Sequence, residues 1–175
     1  MYNTLIRNIL RFVGLLALQV LVFDNILIGN YIHPYIYVLY VLLLPFEMPK
    51  WHLMLNGFLI GMAVDVFSGT PGLNAAATVF LAFMRPYIIG ITSRKSDIED
   101  KNEPSVTEMG AKWFIVYALI LIVLHNLLLF WLEAFSIRLL GIVLVEVLLS
   151  VPVSLFVIML IVYIFKPIKK QISKI

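Results

Sequence analysis

Residues 112–132 form the stretch KWFIVYALILIVLHNLLLFWL, and this stretch decides the class of fold. A membrane-spanning helix needs about 20 consecutive, mostly apolar residues, because each residue adds about 1.5 Å and the hydrocarbon core is about 30 Å thick. The one charged side chain here, Lys112, stands at the first position. The stretch therefore predicts a helix that crosses a membrane.

The composition of the whole chain favours the same environment. Of the 175 residues, 62% are hydrophobic and 13% are charged, and the mean hydropathy is +1.02. Soluble domains contain roughly 45–50% apolar and about 25% charged residues, so this chain has too few polar groups to cover its surface in water. The net charge of +3 does not indicate a nucleic-acid partner, because the basic residues lie at the ends of apolar segments and form no continuous stripe.

Further apolar segments flank residues 112–132, and together they predict an all-α integral membrane protein. We expect a single transmembrane domain over residues 1–175, built as a bundle of six transmembrane helices. The predicted spans lie near 8–28, 31–46, 51–67, 73–91, 112–132 and 137–165. The connection 92–111 is rich in charged residues, and we expect it to be a mobile, solvated loop; contact with a cytoplasmic filament is the alternative.

The distribution of basic residues predicts the orientation, because cytoplasmic loops are enriched in Lys and Arg. If the N-terminus is inside, most of the 13 basic residues lie inside, including those of the 92–111 connection and of residues 166–174. The sequence therefore predicts that both termini and the 92–111 loop are cytoplasmic.

Polar side chains within the predicted spans are candidates for function, because ionisable groups inside a membrane are costly. Counting the helix rise from each predicted turn places Asp65 and several other polar residues in the outer half of the membrane. Ser150 and Ser154 follow Glu146 at intervals of four residues, so they continue a polar stripe on the sixth helix. The candidate buried polar cluster consists of Asn74, His125, Asn126, Glu146 and Ser150.

Two interpretations of this cluster remain open. His125 and Glu146 share a predicted depth on consecutive helices, so they form a pair or each satisfies a backbone carbonyl independently. The stripe on the sixth helix lines a cavity or a partner, or it makes interhelical hydrogen bonds worth about 1 kcal/mol or less, and we favour the second reading.

Asp65 and Arg85 are not expected to form an ion pair. The helix rise separates their predicted depths by roughly 15 Å. Arg85 lies on the cytoplasmic side of its span, so we expect its long side chain to extend towards the cytoplasm.

The third predicted span carries small residues at regular spacing. Gly57 and Gly61 form a small-xxx-small pair, and Asp65 continues the same face one further step of four residues. Such a face allows another helix to approach closely. Together with Gly69 and Gly72 of the following turn, these residues form a candidate face for helix packing or for binding a partner.

Motifs for catalysis and for metal binding are lacking in the sequence. The chain has no cysteine, which excludes thiol catalysis and Cys-ligated metals. His33, His52 and His125 do not have the spacing of metal ligands, and there is no His-Glu-x-x-His, Gly-x-Ser-x-Gly or phosphate-binding loop. We therefore predict a protein that is not an enzyme, with no catalytic residues, no cofactor and no metal site.

Residues 56–76, NGFLIGMAVDVFSGTPGLNAA, resemble the signature of the MreD family of rod-shape-determining membrane proteins. That signature has two glycines four residues apart, an aspartate four residues later, a Ser/Gly turn and a glycine opening the next helix. The turn here is one residue shorter than in many members of the family. The matching residues are Gly57, Gly61, Asp65, Gly69 and Gly72.

The resemblance implies a function that composition and spacing do not show. It implies a non-enzymatic component of the bacterial cell-wall elongation machinery, located in the inner membrane. The implied partners are MreC, a single-span protein, and MreB, in an assembly that also contains RodA and a class B penicillin-binding transpeptidase. The family is also similar in fold to the S components of energy-coupling-factor transporters, so a small-molecule-binding transporter subunit is the alternative.

Overall fold

The computed structural model describes residues 2–25, 32–135 and 139–165, and the regular structure in these ranges is helical. A short 3-10 helix, Phe23–Asn25, follows the first α-helix. The α-helices are α1 (Tyr2–Leu21), α2 (Val38–Leu42), α3 (Lys50–Ser68), α4 (Leu73–Thr92), α5 (Lys95–Ile98), α6 (Val106–Met109), α7 (Ala111–Ala134) and α8 (Leu140–Ile164).

Among the described residues, five segments are long and apolar enough to cross a membrane: Leu5–Asn25, which ends in the 3-10 helix, and helices α3, α4, α7 and α8. They correspond to the first, third, fourth, fifth and sixth predicted spans. Much of their outer surface consists of exposed leucine, isoleucine, valine and phenylalanine, which suits a surface covered by lipid. By the length and apolar composition of these segments, the prediction of an all-helical, multi-pass membrane protein is therefore confirmed.

The second predicted span, 31–46, is not a membrane-length helix. Residues 32–36 are not helical, α2 covers only Val38–Leu42, and Tyr31 lies outside the described residues. Pro34 explains the irregular start, because proline lacks an N–H and disfavours helical backbone in the residue before it. We call residues 32–44 the central segment, because residues 36–44 are all buried.

The central segment runs beside α4 from one end of the bundle towards the other. The Tyr37 hydroxyl donates to Oδ1 of Asn74, near the start of α4. At its other end, the carbonyl of Leu44 accepts from Arg85, near the end of α4. Positions 74 and 85 are about 16 Å apart along the helix axis. We call the end near Asn74 the turn end, because it carries the α3–α4 turn.

Helices α3 and α4 form the closest helix pair of the structure. A Cβ atom built on Gly57 would lie 2.8 Å from the carbonyl oxygen of Thr78, and one on Gly61 would lie 2.6 Å from Cα of Ala75. Only hydrogen atoms fit at these positions, so the glycines allow the two backbones to touch. Helix α4 then packs on α7, which packs on α8, while α1 lies against α3 and α2.

The 92–111 connection packs against the bundle around Glu103, which corrects the expectation of a solvated loop for that part, whereas Ser96, Asp97, Glu99 and Asp100 are exposed. Glu103 is 6% exposed, and Arg11 binds both its carboxylate oxygens, with distances of 2.8 and 3.1 Å. Arg7 lies 3.0 Å from the same carboxylate. The backbone N–H of Phe46 donates to the carbonyl of Asn102 at 3.0 Å. A buried, paired carboxylate therefore anchors the connection to α1.

Replacing Gly61 by alanine is expected to destabilise the fold by about 1–3 kcal/mol, because the added methyl group overlaps backbone atoms of α4. Gly90→Ala is the matched control, since a Cβ atom there meets nothing within 4 Å. The free energy of unfolding in mixed detergent, followed by circular dichroism, measures the difference. Equal stability of the two variants would contradict the close α3–α4 contact.

Candidate functional site

Asp65 joins the end of α3 to the start of α4. Its Oδ1 accepts hydrogen bonds from Thr70 Oγ1 at 2.5 Å and from the backbone N–H of Asn74 at 3.0 Å. Its Oδ2 accepts from the backbone N–H of Ala75 at 2.8 Å. The first N–H groups of a helix have no partner within the helix, and a negative charge is favourable there. Asp65 is therefore the N-terminal cap of α4, supplied by the preceding helix.

The glycines of the α3–α4 turn adopt backbone angles that other residues rarely reach. Gly69 has φ of 70° and Gly72 has φ of 83°. Both angles lie in the left-handed region, where a side chain is strained. The backbone N–H of Thr70 also donates to the carbonyl of Asp65 at 3.1 Å. The turn and the Asp65 cap therefore form one unit.

The structure divides the candidate face of Gly57, Gly61, Asp65, Gly69 and Gly72: the first three residues are buried, whereas Gly69 is exposed and Gly72 is partly exposed in the turn. Gly57, Gly61 and Asp65 are buried against α4 and the turn. Of the two uses predicted for this face, Gly57 and Gly61 serve helix packing, because α4 occupies the space beside them. Binding of a partner stays a prediction for the exposed part of the turn.

A chain of buried hydrogen bonds extends from Asp65 to α7. Asn74 donates through Nδ2 to Asp65 Oδ1 at 3.1 Å and accepts through Oδ1 from the Tyr37 hydroxyl at 2.9 Å. The Tyr37 oxygen lies 2.9 Å from Nε2 of His125, and Nδ1 of His125 lies 3.1 Å from the side-chain oxygen of Asn126. We call Asp65, Asn74, Tyr37, His125 and Asn126 the buried polar chain; each is at most 5% exposed.

The direction of two of these hydrogen bonds is fixed by their donors. Asn74 donates through Nδ2 to the Asp65 carboxylate, and Tyr37 donates its one hydroxyl proton to Asn74. At His125 the direction depends on which ring nitrogen carries the proton. Nδ2 of Asn126, at the end of the chain, is buried without a hydrogen-bond partner among the described residues.

The predicted polar cluster is divided by the structure. Asn74, His125 and Asn126 belong to the buried polar chain. Nε2 of His125 lies beside the Tyr37 oxygen and Nδ1 lies beside Asn126. Of the two interpretations left open for His125, the structure therefore does not have the pairing with Glu146. Glu146 is partly exposed on α8, and predicted depth along a helix does not determine the direction in which a side chain points.

Ser150 and Ser154 bind the backbone of the central segment. Ser150 Oγ accepts from the N–H of His33 at 3.0 Å, and Ser154 Oγ accepts from the N–H of Tyr35 at 3.1 Å. Two residues of extended chain span about 6.6 Å and four helical residues span about 6.0 Å. Hydroxyls four apart on a helix therefore match N–H groups two apart on an extended segment. Ser150 and Ser154 therefore make hydrogen bonds, as the favoured interpretation of this stripe expected, and their partners are backbone N–H groups of the central segment.

Gln19 of α1 binds the same stretch from the other side. Its Oε1 accepts from the N–H of Ile36 at 2.8 Å, and its Nε2 donates to the carbonyl of Pro34 at 3.2 Å. Sequence reasoning missed both Gln19 and Tyr37. Gln19 could have been found as a lone amide within an apolar helix. Tyr37 could have been found because tyrosines stand at alternate positions after Pro34.

Arg85 and Tyr117 bind the carbonyl end of the central segment. The Tyr117 hydroxyl donates to the carbonyl of Leu42 at 3.0 Å, Arg85 Nη2 donates to the carbonyl of Leu44, and Arg85 Nε donates to the Tyr117 oxygen at 3.0 Å. Arg85 is 1% exposed, so the expected extension towards the cytoplasm is wrong. Carbonyl groups at the end of a helix attract a cation, which stabilises this buried charge. Arg85 and Asp65 do not pair, as the sequence predicted.

An open groove with a volume of about 520 Å³ lies at the turn end between α1, the central segment and the end of α3. Of the five predicted cluster residues, all within the described ranges, Asn74 lines this groove. Asp24 stands at its edge, where Oδ1 accepts from Gln19 at 2.7 Å and Oδ2 accepts from Ser68 at 2.7 Å. Within residues 2–25, 32–135 and 139–165, no group of three His, Asp or Glu side chains could hold a metal ion.

Comparison with protein-family models, with characterised proteins and with solved structures gives no match for this chain.

Replacing Arg85 by methionine is expected to destabilise the protein by about 2–5 kcal/mol, because the buried carbonyl of Leu44 and the Tyr117 hydroxyl lose their partner. Lys112→Met is the control, since that side chain is exposed at the start of α7. Unfolding in mixed detergent measures both variants. A loss for Arg85→Met no larger than that for the control would contradict the role of Arg85.

Tyr37→Phe and His125→Leu are expected to be non-additive, with a coupling free energy of about 0.5–1.7 kcal/mol, because each removes the same hydrogen bond. The parallel cycle of His125→Leu with Glu146→Leu is expected to be additive, since these side chains are not bonded. Unfolding free energies of the single and double variants supply both coupling terms. Coupling in the second cycle and none in the first would overturn the assignment of the chain.

Proposed function

We propose that this chain is a non-enzymatic membrane component of the bacterial cell-wall elongation machinery. It maintains cell shape by binding an MreC-like single-span protein and, through it, wall-synthesis proteins such as RodA and a class B penicillin-binding transpeptidase, with MreB on the cytoplasmic side. The observation that carries the proposal is the stretch 56–76 with its resemblance to the MreD signature. Its five matching residues meet in one unit, the α3–α4 hairpin with its capped turn.

The proposed location is the bacterial inner membrane, with both termini in the cytoplasm and the turn end outside. Basic residues support this orientation: Arg7, Arg11 and Lys50 lie at the end opposite the turn end, beside the 92–111 connection. In this arrangement the chain crosses six times, through five helices and the central segment. The central segment returns the chain from the end of α1 to the start of α3.

Partner contact in this proposal uses the outer helices. The small-residue face of α3 is filled by α4, which removes it as an interface. Helix α8 has the most extensive exposed apolar surface, including Leu148 at 73% and Phe156 at 68% exposure. A single spanning helix of an MreC-like partner fits such a surface, because helices in lipid associate through packing along their faces.

A second candidate function is a small-molecule-binding subunit of a membrane transporter, similar in fold to the S components. The groove of about 520 Å³ at the turn end favours it, because ligand pockets commonly have volumes of about 300–1,000 Å³. That function requires tight binding of a small molecule and an association with cytoplasmic ATPases.

Affinity capture tests the first proposal against the second. A tagged copy expressed near its native level is purified in mild detergent, and the co-purifying proteins are identified by mass spectrometry. We expect a single-span coiled-coil protein together with wall-synthesis enzymes. Recovery of paired ABC-type ATPases instead would overturn the proposal and favour the transporter subunit.

Site-specific photocrosslinking in the same cells adds a matched control. A photoreactive residue at Leu148, exposed on α8, is expected to capture the single-span partner, whereas one at Leu121, buried in α7, is not. Equal capture from both positions would show that the recovered protein is not bound to the α8 face.

A further inference from the structure

The groove at the turn end combines polar and apolar walls. Its polar part includes Asp24, Ser68, Thr70 and Asn74, and its apolar part includes Val64 and Phe67. The groove is open to its surroundings and has a volume of about 520 Å³, which is large enough for a small organic molecule or a lipid headgroup. It lies apart from the α8 surface and from the Gly57–Gly61 contact.

The charge of the groove favours a cation. Asp24 is held in place by Gln19 of α1 and Ser68 of α3, each at 2.7 Å. A carboxylate accepts about four hydrogen bonds, so Asp24 can accept more. The described lining contains neither lysine nor arginine. The Asp65 carboxylate adds negative charge from behind Thr70 and Asn74, which both bind it and line the groove.

The aromatic rings in the groove lining indicate which kind of cation the groove favours. Phe23, Tyr35 and Phe67 line the groove and come from three different elements. The faces of aromatic rings attract ammonium groups, most strongly where water is partly excluded. A hydrated metal ion gains little from such rings, whereas an organic ammonium group gains from both the rings and the carboxylate.

We propose that this groove binds an organic ammonium group, with Asp24 as its counter-ion and the aromatic rings against its carbon atoms. The group belongs to a free amine or to the headgroup of a membrane lipid, which share this chemistry. The proposal rests on the groove and does not depend on the function in wall elongation.

The test uses the full chain purified in detergent and titrated with four probes, followed by calorimetry and native mass spectrometry. The free probes are ethanolamine and tetramethylammonium, and the lipid probe is short-chain phosphatidylethanolamine. Short-chain phosphatidylglycerol, which lacks the ammonium group, is the lipid control. We expect binding of at least one ammonium probe and at least tenfold weaker binding to Asp24→Asn, because a charge-assisted contact is lost.

Asp24→Asn keeps a side chain that can bond to Gln19 and Ser68, so the groove keeps its shape. Asp100→Asn is the matched control, since it removes an exposed carboxylate in the 92–111 connection, at the end of the bundle opposite the groove. Phe67→Leu is a second variant that removes only an exposed ring, and it is expected to weaken binding about two- to fivefold.

Each outcome of the titrations has a definite meaning. Binding of free ammonium ions that Asp24→Asn weakens identifies a free amine as the source, and binding of the lipid probe alone, with the same loss, identifies a headgroup. The proposal is overturned if none of the ammonium probes binds, if phosphatidylglycerol binds equally well, or if Asp24→Asn and Asp100→Asn bind alike.

Discussion

The structure depends on satisfying the backbone of the central segment inside an apolar bundle. Hydrocarbon offers no hydrogen-bond partners, so a non-helical stretch at membrane depth must find its partners within the protein. The segment finds them in side chains: Gln19 and the two serines of α8 at the turn end, Tyr117 and Arg85 at the other. Leaving one such group unpaired costs about 1–3 kcal/mol. This requirement explains why polar residues interrupt otherwise apolar helices at these positions.

The need to satisfy this backbone also explains why Arg85 is buried. Arg85 has no carboxylate partner among its hydrogen bonds; they go to a backbone carbonyl and a tyrosine hydroxyl. The carbonyl of Leu44, just beyond the end of α2, accepts from the guanidinium and stabilises its charge. The cation in turn supplies a donor for a carbonyl that no helix satisfies. A buried charge and an irregular backbone, each costly alone, therefore stabilise one another.

The sequence could predict the elements that depend on local interactions, but not those that depend on residues far apart in the chain. Each long helix satisfies its own backbone, so its hydropathy is sufficient to reveal it, and five such segments were predicted correctly. The central segment has the hydropathy of a helix, and only Pro34 indicated otherwise. The partners that make its irregular backbone stable, such as Gln19 and Ser154, lie on distant parts of the chain. Counting depth separated Asp65 from Arg85 correctly, but it misled for His125 and Glu146, since depth carries no information about the facing direction.

The buried polar chain and the groove share Asn74, and Thr70 of the groove lining is bonded to Asp65 of the chain. Thr70 and Asn74 both bind the Asp65 carboxylate and both line the groove. Asn74 also accepts from Tyr37, whose oxygen contacts His125 on α7. Asn74 therefore belongs both to the groove lining and to the hydrogen bonds that hold the central segment between α4 and α7. The segment also reaches α8 directly, because His33 and Tyr35 line the groove and their N–H groups donate to Ser150 and Ser154. The groove is thus built on the stretch of irregular backbone whose hydrogen bonds the surrounding helices supply.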